Sequence, residues 1–259
     1  MRRESLEAER NGSMKPLLVM KFGGTSVGGA RPIERVVSLV ERYTREGNSL
    51  VVVVSAMRGV TNNLVDIGKY IQERKKPELE LGLDDIFYHH LEVASDLNLS
   101  DLLRVSLDSK IDELFFELRR YALDLKGLTA EQSDRLLSYG ERLNVRIVQT
   151  KLVSRGLFAE VVDATDIIET DDKFGEASPN MEKTAKYAND LLLPMVADGK
   201  IPVVTGFIGA TRSGKITTLG RGGSDYTASI LGKVLEAKEV WIWTDVDGIM
   251  TEDPKKMKD

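Results

Sequence analysis

Residues 17–57 read LLVMKFGGTSVGGARPIERVVSLVERYTREGNSLVVVVSAM, and the order of patterns within them decides the fold class. Leu17 to Phe22 is a short apolar run bounded by Pro16 and by Gly23-Gly24, which predicts a buried strand entering a tight turn. Residues 32–45 place Ile33, Val36, Val37 and Val40 on one helical face. Leu50 onward, LVVVVSAM, is the β-branched run of a parallel strand buried on both faces. Strand, helix, strand is a βαβ unit.

Working outward, residues 62–155 carry almost no strand signal. Leu102, Val105, Leu107, Ile111, Leu114 and Leu118 recur at helical spacing, so a mostly helical insertion is expected. After Gly156 the alternation resumes with FAEVVDA as a strand, a helix over about 180–198, and IPVVTGFIGA as one further strand. Ser213-Gly214, between GFIGAT and KITTLG, predicts a hairpin. A helix after Gly223 and the strand VWIWTDV from Val240 complete the chain. The expected fold is a three-layer αβα sandwich with a mainly parallel central sheet and a helical insertion. Residues 1–14, MRRESLEAERNGSM, are nearly devoid of apolar side chains and are expected to be a flexible tail or a cloning remnant, leaving 15–259 as the domain.

Composition narrows the function classes. Forty-two per cent hydrophobic residues in a 259-residue chain can bury the core of one large domain or two lobes. The net charge of -5 comes from interspersed charges, so no nucleic-acid partner is expected. No apolar run spans a bilayer and no signal-peptide core is visible, which with the absence of cysteine fits a cytoplasmic protein without disulfides or thiolate metal sites.

Four constellations carry chemistry. Lys21 is followed at once by Gly23-Gly24 and two hydroxyls; such a turn brings backbone N–H groups close to phosphate oxygens, with the lysine as a point charge. A plain strand-ending glycine turn fits it equally. Thr218 to Asp225, TLGRGGSD, places three glycines beside Arg221, whose fork suits a carboxylate, ahead of a helix starting near Ser224. There Ser224 or Asp225 either caps the helix, or Asp225 orients Lys21 or associated Mg²⁺. In Ser138 to Arg142 a glycine breaks the helical pattern just before Glu141-Arg142, which on local sequence also fits a surface pair. Ser55 to Thr61 lies at the carboxyl end of the VVVV strand, the edge at which open α/β sheets bind ligands, and the same rule puts Lys21, Thr244 and Asp245 there.

Other features are read as structural. His89 and His90 are expected at the surface, Glu73 to Glu80 as a solvated loop or helix end, and Trp241 and Trp243 as packing residues on one strand face.

KFGGTSV at 21–27, SAM at 55–57, GER at 140–142, TGFIG at 205–209, TLGRGGSDYTA at 218–228 and TDVDGIMTEDP at 244–254, in that order, resemble the aspartate kinases of the amino-acid kinase superfamily. The resemblance implies ATP-dependent phosphorylation of the side-chain carboxylate of L-aspartate, with Mg²⁺. It implies catalytic roles for Lys21 and Asp225, and substrate contacts from Ser55, Thr61, Glu141, Arg221 and Ser224. Nucleotide contacts fall to Gly23, Gly24, Thr244, Asp245, Met250 and Lys255, the last two standing where many relatives have tyrosine and arginine. It further implies an amino-acid lobe over about 15–199, a nucleotide lobe from about 200 that is incomplete at 259, regulatory ACT domains beyond it in relatives, and a homo-oligomer, with a dimer as the simplest form. The alternatives are another kinase of the superfamily, or an amino-acid or nucleotide-binding module without turnover.

Overall fold

The structure, a computed structural model, describes residues 15–243. The 1–14 segment, Thr244, Asp245, Met250 and Lys255 lie outside the described residues. Strand β1 (Leu17–Phe22) pairs in parallel with β2 (Ser49–Val54), Leu17 opposite Ser49 and Phe22 opposite Val54, and helix α1 (Ala30–Arg45) is the crossover that a parallel pair requires. Strand β5 (Ile201–Thr205) lies on the far side of β2, β3 (Ala159–Val162) beyond it, and β8 (Glu239–Trp243) flanks β1. The sheet order is therefore β3-β5-β2-β1-β8, parallel throughout.

Alternation along these strands builds two cores. Leu18, Met20, Phe22, Leu50, Val52 and Val54 point to one face, and Val19, Val51 and Val53 to the other. Against the first lie α1 and α5 (Ala130–Ser154), and α2 (Val60–Glu73), α3 (Lys76–Ser95) and α4 (Asp101–Asp124) extend that core outward. Helices α6 (Met181–Ala197) and α7 (Gly223–Val234) cover the second face through Ala188, Leu192, Ala228 and Leu231. Sheet between two helical layers is the expected sandwich, and the helical insertion is the four helices α2 to α5. Helix α5 starts at a capping box: Thr129 Oγ1 accepts the Gln132 N–H, and Gln132 Oε1 accepts the Thr129 N–H.

The segment IPVVTGFIGA departs from the expected single strand. After β5 the Gly206 N–H still donates to Val54 O, but Phe207 turns left-handed at φ 70° and sends the chain into a second sheet. That sheet is β4 (Glu169–Thr170), β6 (Ile208–Thr211) and β7 (Ile216–Thr218) in the order β4-β6-β7, with β6 and β7 forming the predicted hairpin at Ser213-Gly214. A left-handed phenylalanine costs about 1 kcal/mol and leaves no trace in the alternation of apolar residues.

His90 also departs from expectation. It is fully buried on α3, with Nδ1 2.6 Å from Ile86 O and Nε2 without a partner, and burial pushes its pKa down to about 4. Adjacent residues on a helix point about 100° apart, so the buried stripe of Leu83, Ile86 and Val93 takes in His90 while His89 stays at the margin. Of the Glu73 to Glu80 run, residues 73–78 are exposed at the α2–α3 junction as expected while Leu79 is buried, and Trp241 and Trp243 pack on Tyr43 and Phe22.

Candidate active site

The carboxyl ends of β1 and β2, the first turn of α2, the face of α5 and the start of α7 enclose a cleft of about 570 Å³. Lys21, Gly24, Ser55, Thr61, Glu141, Arg221, Ser224 and Asp225 all line it, although up to 204 positions separate them in sequence. Gly23 stands behind this wall, its N–H donating to Trp243 O at 3.2 Å, so its part is to close the turn. Gly24 packs so closely that a Cβ there would come within 2.9 Å of Ala56 O, and only glycine lets the turn pass.

Lys21 follows Val19 and Met20 near the end of β1, and shares the odd-numbered face that α7 covers. Asp225, in the first turn of α7, meets it there: Lys21 Nζ lies 2.5 Å from Asp225 Oδ1, with the lysine side chain 9% exposed and the aspartate 46%. The N-cap of α7 is Gly222, left-handed at φ 74°, with no side-chain capping bond. Neither Ser224 nor Asp225 caps the helix, so both side chains are directed to the cleft wall.

Glu141 comes from the middle of α5. Helix α5 runs through Gly140 without interruption, which corrects the expected break. The glycine is there for contact: a Cβ would lie 2.9 Å from Ala56 Cβ and 3.3 Å from Leu64 Cδ1. This close approach lets Glu141 Oε1 accept the Ala56 N–H at 3.1 Å, while Asn144, one turn on, donates to Ser55 O at 2.7 Å. Glu141 Oε2 is buried without a partner. Burial pushes the Glu141 pKa up to about 8, against the smaller opposing effect of the Ala56 N–H. Arg142 points elsewhere and pairs with Asp163 at 2.7 Å, so Glu141-Arg142 is not a surface pair.

A buried carboxylate oxygen lacking a donor is completed by a cationic one, and a free guanidinium by an anion. Arg221 is exposed and has no carboxylate partner among the described residues. The cleft thus offers a cation-accepting group, an anion-accepting group and the buried Lys21 for a third, negatively charged moiety. It also contains Ser133 and Asp134, which no sequence motif marks, and Arg58, Phe207 and Thr218, which lie inside marked segments but have no role assigned from sequence. Asp134 was visible in principle, seven residues before Glu141 and therefore on the same helical face. Phe207 was not, since its part depends on the left-handed turn. Among the described residues no three His, Cys, Asp or Glu side chains cluster as a metal site, and no helix is long and apolar enough to cross a membrane.

Residues 16–259 match the profile of the family described as the amino acid kinase family. The chain belongs to that family. As a family member it is 34% identical over 242 residues to the lysine-sensitive aspartokinase 3 of Escherichia coli, and 36% identical over 242 residues to an aspartokinase of Chlamydia trachomatis; each alignment takes in 93% of this chain and 52% of the relative. The crystal structure of E. coli aspartokinase III in complex with aspartate and ADP superposes with a TM-score of 0.83 at 33% identity, covering 92% of this chain and 51% of that one. This amino acid kinase chain spans about half the length of the curated relatives it matches.

Proposed function

We propose that the chain supplies the catalytic cleft of an aspartate kinase, which transfers the γ-phosphoryl group of ATP to the side-chain carboxylate of L-aspartate and yields 4-phospho-L-aspartate and ADP. The observation that carries this reading is the meeting, in one cleft, of Glu141 Oε2 and Arg221, neither of which has an ionic partner among the described residues. An amino acid carries an ammonium and a carboxylate on one carbon, and these two groups select it over other acids. The relative with aspartate and ADP bound adds the acceptor and the nucleotide.

In this mechanism Glu141 holds the α-ammonium, Arg221 and Ser224 the α-carboxylate, and Ser55 and Thr61 supply further hydrogen bonds. The acceptor carboxylate, with an ordinary pKa of about 3.9, is ionised at neutral pH and attacks the γ-phosphorus without a general base. An O–P bond forms as the bond to the β-phosphate oxygen breaks, and ADP leaves with that electron pair. Lys21, aligned by Asp225, stabilises charge on the transferring group. Gly24 lets the β1 turn approach the phosphates, and Gly23 closes that turn. Thr244, Asp245, Met250 and Lys255 are proposed on the nucleotide side from the family resemblance. Mg²⁺ bound to the nucleotide phosphates would neutralise part of their charge. Asp225, half exposed, would be the carboxylate to hold it, which suits an ion that takes one or two protein carboxylates and otherwise phosphate and water. The amino-acid lobe over about 15–199, the nucleotide lobe from about 200 and a homo-oligomeric assembly belong to the same proposal.

The test is ATP consumption by the 259-residue chain with Mg²⁺ and L-aspartate, L-glutamate or no acceptor, with hydroxylamine to trap an acyl phosphate. Aspartate-dependent hydroxamate supports the reading. Product with glutamate alone would overturn the acceptor, and aspartate binding in a calorimeter without product would make the chain a binding module.

A further inference from the structure

Asp134, in the second turn of α5, is 2% exposed and faces no lysine or arginine within ion-pair distance among the described residues. Its carboxylate is nonetheless fully engaged. Oδ2 accepts the Gly175 N–H at 2.9 Å and the Thr218 N–H at 2.8 Å, and Oδ1 accepts the Thr218 hydroxyl at 2.9 Å. Burial raises its pKa above the ordinary value, opposed by these three hydrogen bonds.

A carboxylate is the only common side chain that accepts on both ends and donates on neither, so it can hold three converging donors where an asparagine would turn N–H against N–H. The donors come from two segments distant in sequence, the loop at 173–177 and the end of β7. The same segments are tied to each other by the Ala177 N–H, which donates to Thr218 O at 2.9 Å. Three residues beyond Thr218 stands Arg221, at the tip of a glycine-rich turn with little side-chain packing of its own.

We propose that Asp134 is a positioning residue: it latches the β7 end to α5 and so sets where Arg221 stands relative to Glu141. The inference rests on the aspartate kinase reading for the identity of the acceptor, but not for the latch itself. Asp134 and Glu141 are seven residues apart on one face of a single helix, about 10.5 Å along its axis. Helix α5 thus acts as a ruler, with the cation-accepting carboxylate at one mark and the anchor of the anion-accepting guanidinium at the other. An unfixed glycine turn would let Arg221 drift relative to Glu141, and the site would lose its match to the spacing of ammonium and carboxylate on one amino acid. Glu131, one turn earlier on α5, pairs with Lys215 of the hairpin at 2.7 Å, but both are half exposed and that link is weak.

The experiment compares wild type with Asp134→Asn and, as a milder variant that keeps the carboxylate, Thr218→Val. The expected result for Asp134→Asn is a KM for L-aspartate raised at least tenfold and a lowered melting temperature, since buried donors lose their acceptor, with the KM for ATP and kcat at saturation little changed. Thr218→Val shifts the same constant in the same direction by a smaller factor. An equal loss in the ATP and aspartate constants and in kcat, or an unchanged aspartate KM, overturns the proposal. Hydrogen exchange gives a readout that needs no turnover. The Leu219 and Gly223 amides donate to Phe207 O and Gly220 O, and Asp134→Asn should speed their exchange at least tenfold. If wild type lacks aspartate kinase activity, the acceptor reading fails; accelerated exchange at these two amides would still support the latch, and unchanged exchange would refute it.

Discussion

Removing the Glu141 carboxylate tests the site at its most unusual group. Glu141 is buried and accepts one backbone N–H, and burial pushes its pKa up to about 8, so at pH 7 about a tenth of the molecules carry the carboxylate that an ammonium requires. The apparent affinity scales with that fraction. As pH rises from 7 to 8.5 the ionised share grows from about 9% to about 76%, and the KM for L-aspartate should fall about eightfold. The window stops at 8.5 so that the amino acid keeps its own ammonium proton. Glu141→Gln is uncharged throughout, so its pH slope should vanish. At pH 8.5 its KM for aspartate should exceed wild type by about 10- to 150-fold, the worth of a charge-assisted hydrogen bond of about 1.5–3 kcal/mol. The KM for ATP should stay within twofold. Initial rates of hydroxamate formation at six pH values, for both proteins, are sufficient. A wild-type KM flat across the window would place the Glu141 pKa well below 8, and a Glu141→Gln variant that keeps the wild-type KM at pH 8.5 would refute the assignment of the ammonium to Glu141.

Three further outcomes follow from particular contacts. Lys21→Ala should lower kcat at least about 100-fold, roughly 3 kcal/mol of transition-state stabilisation, with the aspartate KM changed less than threefold; an unaffected steady-state kcat removes Lys21 from the mechanism. Gly140→Ala pushes a methyl into Ala56 and should destabilise the fold by about 1–3 kcal/mol in urea titrations while raising the aspartate KM, and an unchanged midpoint would show that α5 and β2 can separate freely. His90 titrates near 4 when folded and about 6.5 when unfolded, so the native state refuses a proton that the unfolded chain accepts. Stability should therefore decline as pH falls below about 6.5, by about 2 kcal/mol between pH 7.5 and pH 5 from this residue; in His90→Leu, urea unfolding at the two pH values should show that much less decline, and an equal decline in both proteins would place the acid sensitivity elsewhere.

Legibility in the sequence tracked the range of the forces involved. The strand, turn and helix of residues 17–45, the β-branched run of β2 and the mostly helical character of the insertion follow from periodicity and from glycine and proline punctuation. These are local properties of a few consecutive side chains, readable without any tertiary contact, together with the parallel sheet that a βαβ order entails. The sequence also marked Lys21, Glu141, Arg221 and Asp225 as residues of the right chemistry. It did not determine which of two roles each one takes. Tertiary structure decided that Asp225 pairs with Lys21 instead of capping α7, and that Glu141 faces β2 while its neighbour Arg142 turns to Asp163. It also decided that Phe207 ends one sheet and starts another, that His90 is core, and that Asp134 holds Thr218 across 84 residues. The physical reason is that burial and hydrogen-bond partnership are set by whatever segment arrives from far along the chain, and no window of neighbouring residues contains that information.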